Sequence, residues 1–328
     1  MPRPPGSVAG ADTPRGAPRA DDLIVEAAWL YYHEELNQAA IAARLKLSRA
    51  SVVNYLAEAR QRGWVRLYLD SEVFLGHALS AELRAAYGLA GALVVPDDPE
   101  AGFPDRRVTR AAADWLPRLL APGDWLGVSW GETVLRLAGQ VPRHPIPDLT
   151  VVQLLGARPA ARGFAAEICT TRIAERLGAH CINLHVPLLL SDRDLAERLR
   201  AEPVVAEQLA AVARCNKTVL ACGTCEDDAH IVRAGLINPA RLATLRRQGA
   251  VGVICGRLID AGGQPVPTEV EERMIGVTLP QMRGKEMALL VAAGAGRAEA
   301  TRAAILGGFA THLATSATIA RQLLARAP

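Results

Sequence analysis

The strongest constraint in this sequence is an alternation of short apolar runs with longer helical patterns, which begins near Asp70 and continues to the C-terminus. The predicted strands are residues 92–95, 125–128, 150–155, 181–185, 218–221, 251–255, 287–291 and 309–314. Helical periodicity lies between most of these runs, as expected for a mainly parallel sheet with helices on both faces. The sequence therefore predicts an α/β domain over residues 71–328.

Length and composition set the remaining bounds. The chain has 328 residues, which suggests about two domains at ~100–200 residues each. Residues 1–21 are rich in Pro, Gly and Arg and contain no apolar run, so they predict a disordered tail rather than a signal peptide. No apolar stretch reaches the ~18 residues that a membrane helix needs. Because the six cysteines are scattered, we expect a soluble, cytoplasmic protein with no membrane partner.

Residues 22–70 predict a separate unit of three helices followed by a strand. The second and third helices begin at Asn37 and Ser48, which are good N-caps, and the third ends at Gly63. Apolar and polar residues then alternate over residues 64–69, which predicts a short strand that would serve as a wing. The spacing is that of a helix-turn-helix, whose second helix enters the major groove of DNA.

Side chains at the start of the third helix, which is the second helix of the helix-turn-helix, are predicted to point outward. Arg49 can fork onto guanine and Asn54 can bond adenine, while Gln38 and Ser48 can donate to phosphates. The predicted DNA contacts are Gln38, Ser48, Arg49, Ser51, Asn54, Tyr55 and Arg60. Residues 44–66 contain six basic residues and one acid, so this segment carries +5 in a chain of net charge +3. The alternative is a solvated charged face on an ordinary three-helix bundle.

Four segments of this unit resemble the N-terminal domain of the SorC (sorbitol operon regulator) family of sugar-responsive repressors. They are residues 29–32, 38–45, 48–52 and 56–60. The resemblance implies a winged helix-turn-helix that binds double-stranded operator DNA. Because operator half-sites on duplex DNA favour symmetric assemblies, we expect a homodimer or homotetramer.

A second motif lies at residues 125–133, where a predicted strand leads through a glycine turn into a helix. The N–H groups and partial positive charge of a helix N-terminus can hold a phosphate. Ser129 and Thr133 would add hydroxyl donors, and Gly131 allows close approach of the backbone. The alternative for this motif taken alone is a glycine turn with a purely structural role.

Residues 249–260 and 293–308 resemble the effector domain of the same family, and the resemblance extends over most of residues 22–325. It implies a fold similar to the sugar-phosphate isomerase and deaminase group, and a sugar or sugar-phosphate effector. In this comparison Arg297 replaces an effector-binding lysine. The predicted effector-binding residues are Ser129, Gly131, Glu132, Thr133, Asp260 and Arg297.

The rival interpretation is an isomerase-like or deaminase-like enzyme with an appended winged helix. Such an enzyme needs a general base and a general acid facing its pocket, and the acids near the glycine turns show no pairing. The candidate acids are Glu132, Asp227, Asp228 and Asp260. Cys222 and Cys225 lack the second ligand pair of a zinc site. We therefore predict a regulator without catalytic residues, metal or cofactor; a pure oligomerisation module would leave the glycine-rich turns without a purpose.

Overall fold

The computed structural model describes residues 20–65, 73–74, 77–98, 105–158 and 166–328. The chain divides into two compact units, with the division between residues 68 and 69. The predicted tail lies outside the described residues except for Ala20 and Asp21, which already belong to the first helix. The predicted wing strand also lies outside them, apart from residues 64–65.

Within the described residues, the smaller unit contains three helices. They are Ala20–Tyr32 (α1), Gln38–Leu45 (α2) and Arg49–Gln61 (α3). Both predicted N-caps are confirmed, because Asn37 Oδ1 accepts hydrogen bonds from two amides of α2 and Ser48 Oγ accepts one from the Ser51 amide. Lys46 closes α2 in the left-handed region with φ 55°. The helices enclose an aliphatic core that includes Ile24, Leu30, Ile41, Val52 and Leu56.

The larger unit is built on a seven-stranded parallel sheet, which confirms the predicted fold class. Its strands are Gly91–Val95 (β1), Trp125–Val128 (β2), Thr150–Gln153 (β3), His180–Ile182 (β4), Lys217–Leu220 (β5), Met287–Ala292 (β9) and His312–Ser316 (β10). Their order across the sheet is β1-β10-β9-β5-β2-β3-β4.

Helices connect these strands and cover the sheet. They are Ala78–Tyr87 (α4), Arg106–Trp115 (α5), Glu132–Gln140 (α6), Ala166–Leu177 (α7), Arg193–Ala201 (α8), Pro203–Arg214 (α9), His230–Arg233 (α10), Pro239–Arg247 (α11), Leu279–Met282 (α12), Ala298–Leu306 (α13) and Ala317–Leu324 (α14). Short 3-10 turns occupy Leu116–Leu119 and Glu271–Arg273.

Strand β9 shows why the sequence reads as continuous apolar runs. Leu289 and Val291 face one hydrophobic core, whereas Ala288, Leu290 and Ala292 face the other. Every residue of β9 is buried. A strand covered on both faces has no polar side, so it carries no alternation of apolar and polar residues.

The predicted strand at residues 251–255 is real but belongs to a different sheet. Ala250–Ile254 (β7) lies between Gly223–Thr224 (β6) and Arg257–Asp260 (β8) in a small antiparallel sheet that the sequence did not predict. The β7–β8 hairpin turns through Cys255 and Gly256, with φ 49° and 76°. Two successive residues of positive φ form a tight hairpin, but a Cys-Gly pair is a weak sequence signal for it.

The strand order creates a crevice at the carboxyl ends of the strands of the main sheet. From β2 the chain proceeds through β3 to β4 on one side, whereas β5 lies on the other side of β2 and is followed by β9. Ligands of parallel α/β sheets bind outside the carboxyl ends of the strands at such a switch point. The segments that follow β2, β5 and β9 therefore meet there.

Candidate functional site

In the smaller unit, helix α3 has a buried stripe and an exposed face. Val52, Leu56 and Ala59 are buried. The exposed face contains three of the residues predicted to contact DNA, namely Arg49, Asn54 and Arg60. This face is free to meet base edges and phosphates, as the recognition helix of a helix-turn-helix does.

The other predicted DNA contacts are partly engaged within the unit. The Ser48 and Ser51 hydroxyls lie 2.8 Å apart, and Ser48 Oγ is also the helix cap. Arg49 Nε donates to Gln38 Oε1 at 3.4 Å, and Tyr55 packs against the core. Helix α3 is therefore stabilised by Ser48, Ser51 and Tyr55, which also lie near its exposed face.

The net charge of the smaller unit is lower than the +5 counted over residues 44–66. Arg44 pairs with Glu34 at 2.9 Å, and Arg62 pairs with Asp21 at 2.6 Å and with Glu58. Over the whole unit, residues 1–68, nine basic residues stand against seven acidic ones, so the net charge is +2. Six of those seven acids lie before α2, so the sequence from α2 onwards is predominantly basic.

In the larger unit, a cavity of about 790 Å³ lies at the carboxyl ends of the strands. Its lining comes from the segments after β1, β2, β5, β9 and β10. The polar and charged lining residues include Asp97, Asp98, Asp105, Glu132, Thr133, Glu226, Asp228, His230, Arg233, Arg297 and Ser316. We call this cavity the main pocket.

The start of α6 supplies one wall of the main pocket. Gly131 is the N-cap, with φ 115° and ψ 170°, and no side chain caps the helix among the described residues. A Cβ placed on Gly131 would meet nothing within 4 Å. The pocket is therefore lined by a helix N-terminus whose first amides lack a side-chain acceptor, and such amides attract anions.

Two guanidinium groups also line the main pocket. Arg297 Nη1 donates to the Cys222 carbonyl oxygen at 2.6 Å. Burial lowers the pKa of Arg297 from its ordinary value, and the nearby Arg233 lowers it further, whereas Glu132 raises it. Arginine nevertheless remains a cation at neutral pH. Arg233 Nη1 lies 3.5 Å from Glu132 Oε1, so an acid also faces these cations.

His230 and Trp130 form an aromatic contact at the inner side of the pocket. Their ring centroids are 4.8 Å apart with an interplanar angle of 71°. Burial lowers the pKa of His230 to about 4, and the charges of Arg233 and Arg297 act in the same direction. The imidazole is therefore neutral at physiological pH.

Ser129 lies apart from the other predicted effector-binding residues. It lines a second, smaller cavity of about 50 Å³, whereas Gly131, Glu132, Thr133 and Arg297 line the main pocket. The two cavities share five lining residues, which are Trp130, Ala221, Gly223, Thr224 and His230. We call the smaller one the inner cavity.

The structure does not bring Asp260 to either cavity. Its Oδ1 accepts hydrogen bonds from the amides of Gly262 and Gln264 at 2.9 and 2.8 Å. An aspartate that bonds backbone amides two and four residues ahead holds a turn. Asp260 is the last residue of the antiparallel strand β8 and does not belong to the parallel sheet, and this explains its displacement.

Sequence reasoning missed Trp130, His230 and Arg233, together with the acids after β1. His230 and Arg233 belong to α10, a helix of four residues that has no periodic signal of its own. One signal was available, because residues that follow parallel strands meet at the same edge of the sheet. Predicted strands at residues 92–95 and 218–221 therefore pointed to the segments that contribute the missed residues.

The cysteines near the pocket are neutral thiols. Burial raises the pKa of Cys222, Cys225 and Cys255 to about 12, so none is a reactive thiolate at neutral pH. Among the described residues, no group of three or more His, Cys, Asp or Glu side chains is arranged to hold a metal ion. Within the same residues, none of the helices has the length and apolar character needed to cross a bilayer.

Comparison with known proteins places these features in a family. The family model for a sugar-binding domain, Sugar-bind, matches residues 71–325. The transcriptional regulator YjhU of Escherichia coli is 35% identical over 311 residues, which cover 93% of this chain and 95% of YjhU. The deoxyribonucleoside regulator of Bacillus subtilis is 30% identical over 305 residues, covering 92% of this chain and 97% of that protein.

A solved structure agrees with the fold over both units. The full-length sorbitol operon regulator SorC of Klebsiella pneumoniae superposes with a TM-score of 0.68 at 23% identity, covering 93% of this chain and 99% of that one. Fold, family model and relatives together define a DNA-binding transcriptional regulator that responds to a sugar. The chain belongs to the SorC family of sugar-binding transcriptional regulators.

Proposed function

We propose that residues 22–70 bind an operator and that residues 71–328 bind a phosphorylated sugar and oligomerise. The observation that carries the phosphorylated effector is the convergence of three positive features on the main pocket. They are the uncapped N-terminus of α6, Arg297 and Arg233. Relatives named for a sorbitol operon and for deoxyribonucleosides support a sugar-like effector of this kind.

The features of the pocket suit the two parts of a sugar phosphate. A phosphate accepts hydrogen bonds from the first amides of α6 and from the Thr133 hydroxyl, and a guanidinium can bond it bidentately. The carboxylates of Glu132 and Asp228 line the same pocket. Because an ionised carboxylate only accepts hydrogen bonds, these acids suit sugar hydroxyls and repel a phosphate. The pocket thus distinguishes one end of the effector from the other.

Operator binding would follow from α3 and from symmetry. Arg49 and Asn54 on the exposed face would read bases, and Gln38 and Arg60 would contact phosphates. A homodimer or homotetramer would present paired recognition helices to operator half-sites, and this function places the protein in the cytoplasm with its DNA. The effector would change operator affinity through a coupling free energy of about 1–3 kcal/mol.

We propose no catalytic role for the pocket. Glu132 is held by Arg233, and the His230 imidazole is buried against Trp130. The relatives described above are regulators rather than enzymes. Incubation with ribose 5-phosphate and glucosamine 6-phosphate, followed by NMR, should show no turnover; isomerisation or deamination would favour the enzyme interpretation.

The effector site is tested by substitution of Arg297. Sugars and their phosphates are first screened by thermal shift, and binding of the best phosphate is then measured by calorimetry. Since a charge-assisted hydrogen bond contributes about 1.5–3 kcal/mol, Arg297→Ala should weaken binding about ten- to a hundredfold. Operator binding in the absence of effector should be nearly unchanged.

Arg302→Ala is the matched control. Arg302 lies on α13, the helix for which Arg297 is the N-cap. It donates to the Arg326 carbonyl oxygen at 2.8 Å and does not line the main pocket. It should bind the effector as the wild type does. Equal affinity for the phosphorylated and unphosphorylated forms, or full affinity in Arg297→Ala, would show that the pocket is not a phosphate site.

A further inference from the structure

Asp260 organises a short turn at the end of strand β8. Its backbone amide donates to the Gln264 carbonyl oxygen at 2.9 Å, and its carbonyl oxygen accepts from the Gly263 amide at 2.9 Å. Its carboxylate accepts from the amides of Gly262 and Gln264. Four hydrogen bonds to one residue fix the conformation of this segment from within. We call residues 260–264 the Asp260 turn.

The tip of the Asp260 turn meets the C-terminal end of helix α13. Gly263 is buried, and a Cβ placed on it would lie 2.3 Å from the Gly307 Cα and 2.4 Å from the Ala303 carbonyl oxygen. In the opposite direction, a Cβ on Gly307 would lie 2.8 Å from the Gly263 carbonyl oxygen. Backbone atoms cannot rotate away as a side chain can. The position of the turn therefore limits where α13 can end.

Two further side chains hold this contact in place. Arg283 Nη2 donates to the Gly263 carbonyl oxygen at 3.1 Å, and the Arg283 guanidinium lies 5.1 Å from the centroid of the Phe309 ring. Phe309 is fully buried, and a Cβ on Gly307 would lie 2.5 Å from its ring. The Asp260 turn is thus joined by a hydrogen bond and by packing to the segment that ends α13.

The opposite end of α13 lies in the main pocket. Arg297 is the N-cap of this helix, and its carbonyl oxygen accepts from the Thr301 amide at 2.9 Å. Cys222 contacts this end twice, because its carbonyl oxygen accepts from Arg297 Nη1 at 2.6 Å and its thiol donates to the Ala300 carbonyl oxygen at 3.3 Å. At ~1.5 Å per residue, Arg297 and Gly307 are ~15 Å apart.

Helix α13 is suited to transmit a displacement from one end to the other. It packs against β7. Its buried residues are Ala298, Ala300, Thr301, Ala303, Ala304 and Ile305. Alanine has no rotamer to change, so a shift of this helix is not absorbed by its side chains. Because the hydrogen-bonded backbone of a helix is stiff along its axis, a shift at Gly307 moves Arg297 as well.

We propose that Asp260 is a positioning residue for the effector site and acts on Arg297 through the Asp260 turn and α13. The carboxylate shapes the turn, Gly263 sets where α13 ends, and the helix sets where the Arg297 guanidinium stands in the main pocket. Binding groups must be held within about 0.5 Å of their productive positions. This inference rests on the proposed function, since it concerns how the same anion site is held.

Two glycines of the Asp260 turn provide a matched pair of variants. Gly263→Ala places a Cβ against the backbone of Gly307, and the φ of 76° at this position adds strain. Gly262→Ala is the control, because Gly262 is exposed and its Cβ would meet only Asp260 Oδ1, at 3.4 Å. Inorganic phosphate is the probe, titrated by phosphorus NMR, which also measures weak affinities. Binding should weaken about tenfold or more in Gly263→Ala and stay unchanged in Gly262→Ala.

A double-mutant cycle separates positioning from a general loosening of the protein. In an Arg297→Ala background, Gly263→Ala should cause little further loss of phosphate affinity, because its effect passes through the missing guanidinium. In a Thr133→Val background it should cause its full loss, since independent sites add. A purely structural role of the turn would weaken binding by the same factor in both backgrounds.

Substitution of Asp260 itself tests the first step. Asp260→Ala should weaken phosphate binding in the same background-dependent way as Gly263→Ala. Asp260→Asn should retain wild-type affinity, because its amide oxygen still accepts from the two backbone amides of the turn. If Gly263→Ala does not fold, Asp260→Ala with Asp260→Asn as its control replaces it in every measurement.

Crystal structures of the variants supply the second readout. In Gly263→Ala the Arg297 guanidinium should be displaced from the Cys222 carbonyl oxygen, whereas the Gly262→Ala structure should match the wild type. Full phosphate affinity in Gly263→Ala, an equal loss in the Arg297→Ala background, or an unmoved Arg297 overturns the positioning role. If the wild type binds no phosphate, the proposed anion site fails, and the position of Arg297 in these structures alone decides whether the Asp260 turn sets it.

Discussion

The basic residues of this chain fall into distinct structural roles. None of its three lysines lines the main pocket. Lys46 closes α2, Lys217 pairs with Asp124 at 2.7 Å, and Lys285 donates to the Cys215 carbonyl oxygen. Among the described residues, the cationic side chains that line the pocket are guanidinium groups, and a guanidinium does not form an imine with a sugar carbonyl. Effector binding there is expected to be noncovalent.

At the same scale, Arg49 and Asn54 test the recognition helix. Each bidentate contact to a base is worth about 1–3 kcal/mol of discrimination, so Arg49→Ala and Asn54→Ala should each weaken operator binding about five- to a hundredfold. Their melting temperatures should stay near that of the wild type, because both side chains are exposed. Gel shifts on an operator fragment selected from genomic DNA provide the measurement.

Gln61→Ala serves as the control for these two variants. Gln61 is an exposed residue at the opposite end of α3 and should leave operator affinity unchanged. If both recognition variants retain wild-type affinity and specificity, α3 does not read the operator.

Helix α6 supplies one wall of the proposed effector site, and its N-cap depends on glycine. The φ of 115° and ψ of 170° at Gly131 fall in a region that only glycine adopts readily, so another residue costs about 1–3 kcal/mol there. A serine or aspartate cap would have satisfied the first amides of the helix. Glycine leaves those amides for a ligand.

The prediction at this scale compares Gly131, the N-cap of α6, with Gly139, which lies within the same helix. Gly131→Ala should lower the free energy of unfolding by about 1–3 kcal/mol because of backbone strain, and it should weaken effector binding. Gly139→Ala should raise stability by up to about 1 kcal/mol, because alanine is favoured within a helix. A Cβ on Gly139 would meet only the end of the Arg172 side chain, at 3.8 Å. Urea denaturation measures both; a stable Gly131→Ala protein with full affinity would contradict the assignment.

At the scale of the whole molecule, stability should depend on pH through buried imidazoles. Burial lowers the pKa of His230 to about 4, and burial also lowers that of His312. Below the unfolded-state pKa of about 6.5 the unfolded chain therefore binds protons that the folded chain excludes. Folding stability should fall as the pH decreases from 6.5 towards 4.

Denaturation at pH 7, 6 and 5 tests this pH dependence, with His230→Gln compared with the wild type. One linked proton corresponds to a slope of at most about 1.4 kcal/mol per pH unit. The variant should therefore lose less stability than the wild type on acidification. Identical pH dependence in the two proteins would mean that His230 titrates in the folded state as it does in the unfolded chain.

The local features of this protein were determined by its sequence alone. Asn37 and Ser48 cap their helices as predicted, and Gly131 begins α6 between a strand and a helix. The strands of the main sheet were predicted to within a few residues; the prediction at residues 309–314 became His312–Ser316. These features depend on neighbours within one or two turns of the chain, which is the range over which periodicity and caps act.

The composition of the site was decided by tertiary structure. Glu132 and Arg233 form an ion pair although they are 101 residues apart, and Arg297 bonds the carbonyl of Cys222, 75 residues away. Asp260 lies in a segment that resembles a family motif, but the antiparallel β7–β8 hairpin places it away from both cavities. Strand order determines which of the segments that follow the strands meet at the carboxyl ends of a parallel sheet. That order is set by how the complete apolar faces pack together, and no local segment of the sequence contains this information.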